Sequence, residues 1–296
     1  MTDTRPIPCI GSVLWDIIGR HVHPMRRGDD RPGRIVRIPG GVAFNVAREL
    51  ARLGRHPTAL TCIGTDPEGA ELVAACAAAG VDTSLALRRA DLPTDRYMAI
   101  EAANGLVAAI ADAHALEAAG AKILAPLSDG RLGSAAAPFA GPVVLDGNLS
   151  AALLAEIADS PFLAAADLRI VPASPGKAER LAPLLALPNA TFYLNLEEAS
   201  ILADMGFIHT ADAARHLCAA GSARVLVTDG ARPAADAGAH GVLTAQPPMV
   251  EPRCITGAGD TFMAAHLAAE TAGHSPAFAL EAALQAAATH VAGDPS

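Results

Sequence analysis

The chain has 296 residues, 51% of them apolar but only 3% aromatic, so it is long enough to bury a large, alanine-rich core. A formal net charge of −9, with no basic run, argues against a nucleic-acid polymer or an anionic membrane surface as partner. A small phosphate-bearing ligand stays allowed, because local amides and a metal can offset the global charge. The five cysteines are scattered without a Cys-x-x-Cys, which reads as buried thiols in a reducing compartment and not as a disulfide framework or zinc site. Residues 1–6 lack the apolar core of a signal peptide, and no apolar stretch reaches the ~20 residues of a membrane span, so a cytoplasmic protein is expected.

In chain order, the apolar run 8–14 contains Gly11 and leads to Asp16. It reads as the first strand of a central sheet, with the acid at the carboxyl end, where open α/β sheets bind ligands. Residues 17–20 and 34–38 read as strands around a charged turn at 26–34. Gly40-Gly41 opens a helix that carries Asn45 one turn in and ends at Leu53-Gly54. A strand at 58–63 precedes a helix at 67–79, started by Asp66-Pro67 and closed by Gly80, with another strand at 81–87. Segments 97–100 and 106–110 flank Asn104-Gly105, a strong two-residue hairpin signal. Strands at 141–145, 168–171, 191–194 and 224–228 then alternate with helices such as 150–158 and 211–220. That alternation predicts a three-layer α/β/α architecture with a mostly parallel central sheet. With no composition break or repeat, residues 1–296 read as one domain plus a small β-sheet from about 17–38 and 95–112.

The segment Ile255-Thr256-Gly257-Ala258-Gly259-Asp260-Thr261-Phe262, followed by an apolar run to residue 269, reads as a glycine-rich turn opening a helix. Unpaired N–H groups and the positive end of the dipole make such a turn an anion site. Asp260 would repel a bound phosphate, yet it makes sense as a base that takes a proton from an attacking hydroxyl. An ordinary helix start with an acid in its first turn fits the same spacing.

Thr-Gly-Ala-Gly-Asp followed by Thr-Phe resembles the C-terminal signature of the ribokinase-like (PfkB-type) carbohydrate kinases. Gly40-Gly41-Val42-Ala43-Phe44-Asn45, running to Leu53-Gly54, resembles their N-terminal signature. The resemblance implies a ribokinase-like fold with a β-sheet lid, the cofactors ATP and Mg²⁺, and a small-molecule nucleoside or sugar acceptor. It also implies a homodimer formed through the lid. Gly257, Ala258, Gly259 and Asp260 would be catalytic, and Asp16, Gly41 and Asn45 would hold the acceptor. Thr256, Gly257 and Gly259, with Asn195, Thr228 and Gly230, would meet the nucleotide. Glu198 of Asn195-Leu196-Glu197-Glu198 would organise Mg²⁺ through water, while an N-capped helix with two first-turn acids explains that stretch equally well. Thr228-Asp229-Gly230 reads also as a plain turn. Asp146-Gly147-Asn148 is expected near the phosphates. Cys254 and Ile255 stand where the family often has Asp-Thr, which leaves a monovalent cation open.

Within the family, the stretch from Tyr97 to Asp112 resembles that of pseudouridine kinases, as do Asp146-Gly147-Asn148-Leu149-Ser150 and Pro172-Ala173-Ser174-Pro175-Gly176-Lys177. This implies phosphorylation of a nucleoside 5′-hydroxyl, with Ser12, Asp112 and Lys177 as candidates for contacting the base. Lys177 reads also as a solvated helix residue. Another sugar or nucleoside kinase of the same family, or a non-catalytic ligand-binding protein on the same fold, is the alternative.

Overall fold

The computed structural model describes residues 5–293. Residues 1–4, which carry most of the segment read above as lacking a leader's apolar core, lie outside that range. Among the described residues, fourteen strands and eight α-helices follow one another in chain order. The strands are β1 (Pro6–Ile10), β2 (Leu14–Arg20), β3 (Arg34–Gly40), β4 (His56–Leu60), β5 (Cys62–Gly64), β6 (Leu87–Arg89), β7 (Arg96–Ala102), β8 (Gly105–Asp112), β9 (Pro142–Asp146), β10 (Asp167–Val171), β11 (Ala190–Asn195), β12 (Arg224–Asp229), β13 (Arg232–Gly238) and β14 (Gly241–Ala245). The helices are α1 (Val42–Arg52), α2 (Pro67–Ala78), α3 (His114–Ala119), α4 (Ala151–Ala158), α5 (Leu196–Leu202), α6 (Thr210–Ala219), α7 (Ala258–Thr271) and α8 (Pro276–Val291).

Eight strands form the main sheet in the order β14-β13-β12-β11-β10-β9-β1-β4. From β4 to β12 the pairs are parallel, and β13 and β14 add an antiparallel edge. Its strands read as unbroken apolar runs because successive residues enter different cores. Ile10, Leu145, Ile170, Phe192 and Val227 join one buried cluster, with residues of α4, α5 and α6. Their neighbours Cys9, Val144, Val171, Tyr193 and Leu226 join the other, with residues of α1, α2, α7 and α8. The expected three layers follow. Cys9, Cys62 and Cys76 are buried, as expected of small apolar thiols. Among the described residues no helix is long and apolar enough to cross a membrane.

A second sheet, in the order β3-β2-β7-β8, forms from residues close to the expected 17–38 and 95–112. Three expectations shift. The run 8–14 is not one strand: β1 stops at Ile10, and Gly11 (φ +151°) turns the chain where a Cβ would strike Asp146. Asp16 therefore lies inside β2 of the small sheet, not at the end of a central strand. The expected strand at 81–87 is reduced to a bridge between Thr58 and Asp82 followed by β6, because Asp82 accepts a hydrogen bond from the Ser84 N–H at 2.8 Å and turns the chain. The strand at 58–63 divides between β4 and β5. The β7–β8 turn falls on Ala103-Asn104, with Gly105 at φ +94° opening β8. The Asn104 amide instead pairs with both backbone groups of Met25.

Candidate active site

Helix α7 begins at the glycine-rich turn. Gly257 sits at φ +88°, a left-handed conformation that glycine adopts without Cβ strain, and no side chain caps the helix. The Ala258 N–H turns back to Ile255 O at 3.2 Å and Thr261 N–H reaches Gly257 O at 2.9 Å. Among the described residues the N–H groups of Gly257, Gly259 and Asp260 have no protein acceptor. From Asp260 to Ala269 the helix is buried on every side, so it holds this turn rigidly.

Asp260 is only 9% exposed. Its Oδ2 accepts a hydrogen bond from Asn45 Nδ2 at 2.9 Å, which joins α7 to the first turns of α1. Burial pushes its carboxyl up to about 7; the Asn45 amide and Arg48 pull it down, while the charges of Asp146 and Glu198 push it up. A carboxylate of that basicity, beside unpaired N–H donors, can accept a proton from a hydroxyl near neutral pH.

Ser12, Gly41, Asn148 and Lys177 converge in a second cluster, at the start of the helix that carries Asn45. Gly41, at φ +95°, lies so close to the Ser12 carbonyl that a Cβ would collide with it. The Ser12 hydroxyl oxygen accepts from the Val42 N–H at 3.2 Å and from Asn148 Nδ2 at 3.0 Å. Lys177 Nζ donates to Asn148 Oδ1 at 2.5 Å, so a half-buried lysine, and not a solvated one, reaches the Ser12 cluster. Burial, with Arg180 nearby, lowers its ammonium below the usual lysine range. Asp146, in the stretch expected near the phosphates, turns its carboxylate inward. It is fully buried and accepts hydrogen bonds from the N–H groups of Ser12 (2.8 Å), Ala43 (3.1 Å) and Asn148 (2.5 Å). It fixes the loops that carry the site without reaching its surface.

Asp16 packs its carboxylate against Gly40, where any Cβ would displace it. Burial pushes it up to about 6, and no protein donor among the described residues pairs with it. Asp112 is not brought to the same place. Through the register, Asp16 shares a sheet face with Tyr97 and Ala111, whereas Asp112 shares the other with Arg96 and Trp15. There it pairs with His114 at 2.7 Å and Arg96 at 3.8 Å.

At the start of α5, Asn195 and Glu198 form a reciprocal capping box: Asn195 Oδ1 accepts the Glu198 N–H at 2.8 Å, and Glu198 Oε2 accepts the Asn195 N–H at 2.9 Å. Burial pushes Glu198 up to about 7. Its other oxygen stays available, a donor of the hard type that Mg²⁺ takes through water. Among the described residues no cluster of three metal-ligating side chains preassembles a metal cage. The single free carboxylate oxygen of Glu198 fits a cation held mainly by water. Thr228 is the next-to-last residue of β12, its hydroxyl 3.4 Å from Leu194 O, and Gly230 follows the strand at φ +55°. Sequence reasoning missed His290 on α8, whose Nε2 lies 2.8 Å from Thr256 O; nothing in the α8 sequence marks it.

A family model described as "pfkB family carbohydrate kinase" matches residues 4–293. A carbohydrate kinase from Agrobacterium tumefaciens superposes with a TM-score of 0.81 at 27% identity, covering 99% of this chain and 94% of that one. An Arabidopsis thaliana ribokinase solved with ribose and ATP shares the fold at a TM-score of 0.78 and 21% identity, over 97% and 93% of the two chains. Among curated proteins, an uncharacterized sugar kinase, YeiI, of Escherichia coli is 32% identical over 155 residues, 52% of this chain and 41% of that protein. Pseudouridine kinase of the same organism is 30% identical over 126 residues, 42% and 40% of the two lengths. The matches to these curated relatives thus span about two fifths of their lengths. With a family model matching from residue 4 to residue 293, and with this fold and this turn, the chain belongs to the pfkB family of carbohydrate kinases.

Proposed function

We propose that the protein transfers the γ-phosphoryl group of ATP to a hydroxyl of a small polyol, and that this acceptor is pseudouridine, phosphorylated on its 5′-hydroxyl. The observation that carries the reading is Asp260, buried and of raised basicity, beside the uncapped N–H groups of α7. Asp260 takes the proton of the attacking hydroxyl. The oxygen bonds to the γ-phosphorus as the bond to the bridging oxygen breaks, and ADP leaves. The N–H groups of Gly257, Gly259 and Asp260 receive the charge on the transferred group, where preorganised donors act most strongly. Asn195, Thr228, Gly230 and Thr256 line the nucleotide side. When bound, Mg²⁺ supplies neutralisation of the phosphate charge, and Glu198 would hold it through water.

Asp16, Gly41 and Asn45 hold the ribose: Asp16 offers an unpartnered acceptor, and Asn45 keeps one amide oxygen for a hydroxyl. Lys177, already joined to Ser12 through Asn148, contacts the base. The chain acts as one kinase unit with the small sheet as a lid that excludes water, so that the phosphoryl group goes to the acceptor. Ile35, Met98, Ile100 and Ile110 share the face opposite Asp16 and are 39–76% exposed, and a second copy of the chain covers that face. The 32% identity to a sugar kinase favours a free sugar as the second reading. ADP release from Mg-ATP with pseudouridine, uridine, ribose and fructose decides between them: dependence on pseudouridine supports the first, dependence on a free sugar replaces it.

A further inference from the structure

The phosphate-binding turn is held from behind by the end of α8. The N–H groups of Arg253 and Cys254 both donate to Val291 O, at 2.8 and 3.1 Å. One residue earlier on the same helix, His290 Nε2 lies 2.8 Å from Thr256 O. A carbonyl can only accept, so Nε2 carries the proton and His290 donates. The ring also packs against Gly257: a Cβ built there would lie 3.3 Å from two of its atoms. Cys254 Sγ is 4.0 Å from the same nitrogen, and Thr256 O is by far the better acceptor.

Thr256 C=O and Gly257 N–H belong to one peptide group. A hydrogen bond onto the carbonyl oxygen polarises that group and makes its N–H a stronger donor. The Gly257 N–H is one of the three at this turn without a protein acceptor. We propose that His290 is a positioning residue of the phosphoryl-transfer site: it fixes the left-handed Gly257 turn and sharpens the Gly257 N–H toward the charge that builds on the transferred group. This rests on the phosphotransfer reading above. His290 touches neither substrate and acts through the Thr256–Gly257 peptide. Its effect falls on kcat.

The test compares His290→Ala, His290→Asn and His290→Gln with the wild type in steady-state kinetics, alongside the amide proton shift of Gly257. Glutamine can place an N–H where Nε2 stands, whereas asparagine falls short of it. The expected result is a kcat lowered about tenfold in the alanine and asparagine variants, less than the loss of a direct donor. The KM for the acceptor and the acid limb of the pH profile stay in place, and glutamine restores most of the rate. The Gly257 amide proton moves upfield in alanine and asparagine but not in glutamine. Should the alanine variant not fold, asparagine against glutamine gives the same comparison. Equal rates in asparagine and glutamine, whether both normal or both impaired, overturn the assignment. A wild type that releases no ADP with any acceptor overturns the phosphotransfer reading itself, a result distinct from a failure of His290 alone.

Discussion

Asn45 Nδ2 and Asp260 Oδ2 meet at 2.9 Å although 215 residues separate them. The pair ties the glycine turn that opens α1 to the glycine turn that opens α7, and it moderates the basicity that burial gives the carboxylate. Replacing Asp260 by Asn keeps the shape and can keep the Asn45 hydrogen bond, but it removes the base. Turnover is expected to fall by about 10²–10⁴-fold, with the KM for ATP nearly unchanged. Steady-state kinetics with both substrates varied reads this directly, and a rate near that of the wild type would exclude Asp260 as the base.

The same substitution should stabilise the fold in a pH-dependent way. Asp260 has a folded value near 7, raised first by burial, against an ordinary carboxylate value in the unfolded chain. A raised carboxyl favours the folded state while protonated, so stability is lost as pH rises from the unfolded value to about 7. The thermal midpoint of Asp260→Asn should exceed that of the wild type by a margin that grows from about pH 4 to about pH 7 and then levels. A constant margin across that range would show that the charge is not the cause.

Asn45 lowers the basicity of Asp260, so Asn45→Ala should move the acid limb of the rate profile to higher pH. In the proposed reading Asn45 also faces the acceptor, so the KM for the acceptor should rise. Asp16→Asn, by contrast, should raise the KM for the acceptor about tenfold while leaving the acid limb in place, since the role proposed for Asp16 is to hold a hydroxyl and not to take a proton. Rate profiles of the two variants side by side separate the roles.

How far this site could be read from the sequence depends on how local each feature is. The turn at residues 255–260 and Gly40-Gly41 were legible because a left-handed turn before a helix demands glycine at set places. The alternating strands were legible for a similar reason: residues such as Ile170 and Val171 are both buried, so the run is continuous. The assignment of Asp16 to a central strand failed because Val13, Leu14 and Trp15 are also buried, at the base of the small sheet. An apolar run alone cannot say which sheet it joins. Register separates Asp112 from Asp16, since one residue of parity decides a strand's face. The roles of Asp146 and His290 depend on contacts between distant segments, for which a single sequence holds no signal.

The same holds for a buried cluster at the far end of α7. Glu270 bridges Arg169 of β10 and Arg224 of β12, two arginines on either side of β11 that also pair with Asp167 and Asp236 at 2.6 Å each. Burial would raise the Glu270 carboxyl, but Arg169 foremost, then His266 and Arg224, bring it down to about 2. Glu270→Ala leaves both arginines under-neutralised in the interior and should cost about 3–5 kcal/mol of stability, read as a lowered urea midpoint at unchanged slope. Glu270→Gln, which keeps an acceptor oxygen, should cost less. Equal midpoints for the wild type and Glu270→Ala would show that the bridge contributes nothing.

The most direct test of the account is ADP release from Mg-ATP, measured for the wild type and Asp260→Asn with and without pseudouridine. The account predicts release by the wild type that depends on the acceptor and is lost in Asp260→Asn, while both proteins bind ATP alike. Release that ignores the acceptor, or that persists at the wild-type rate without the Asp260 carboxylate, would contradict it.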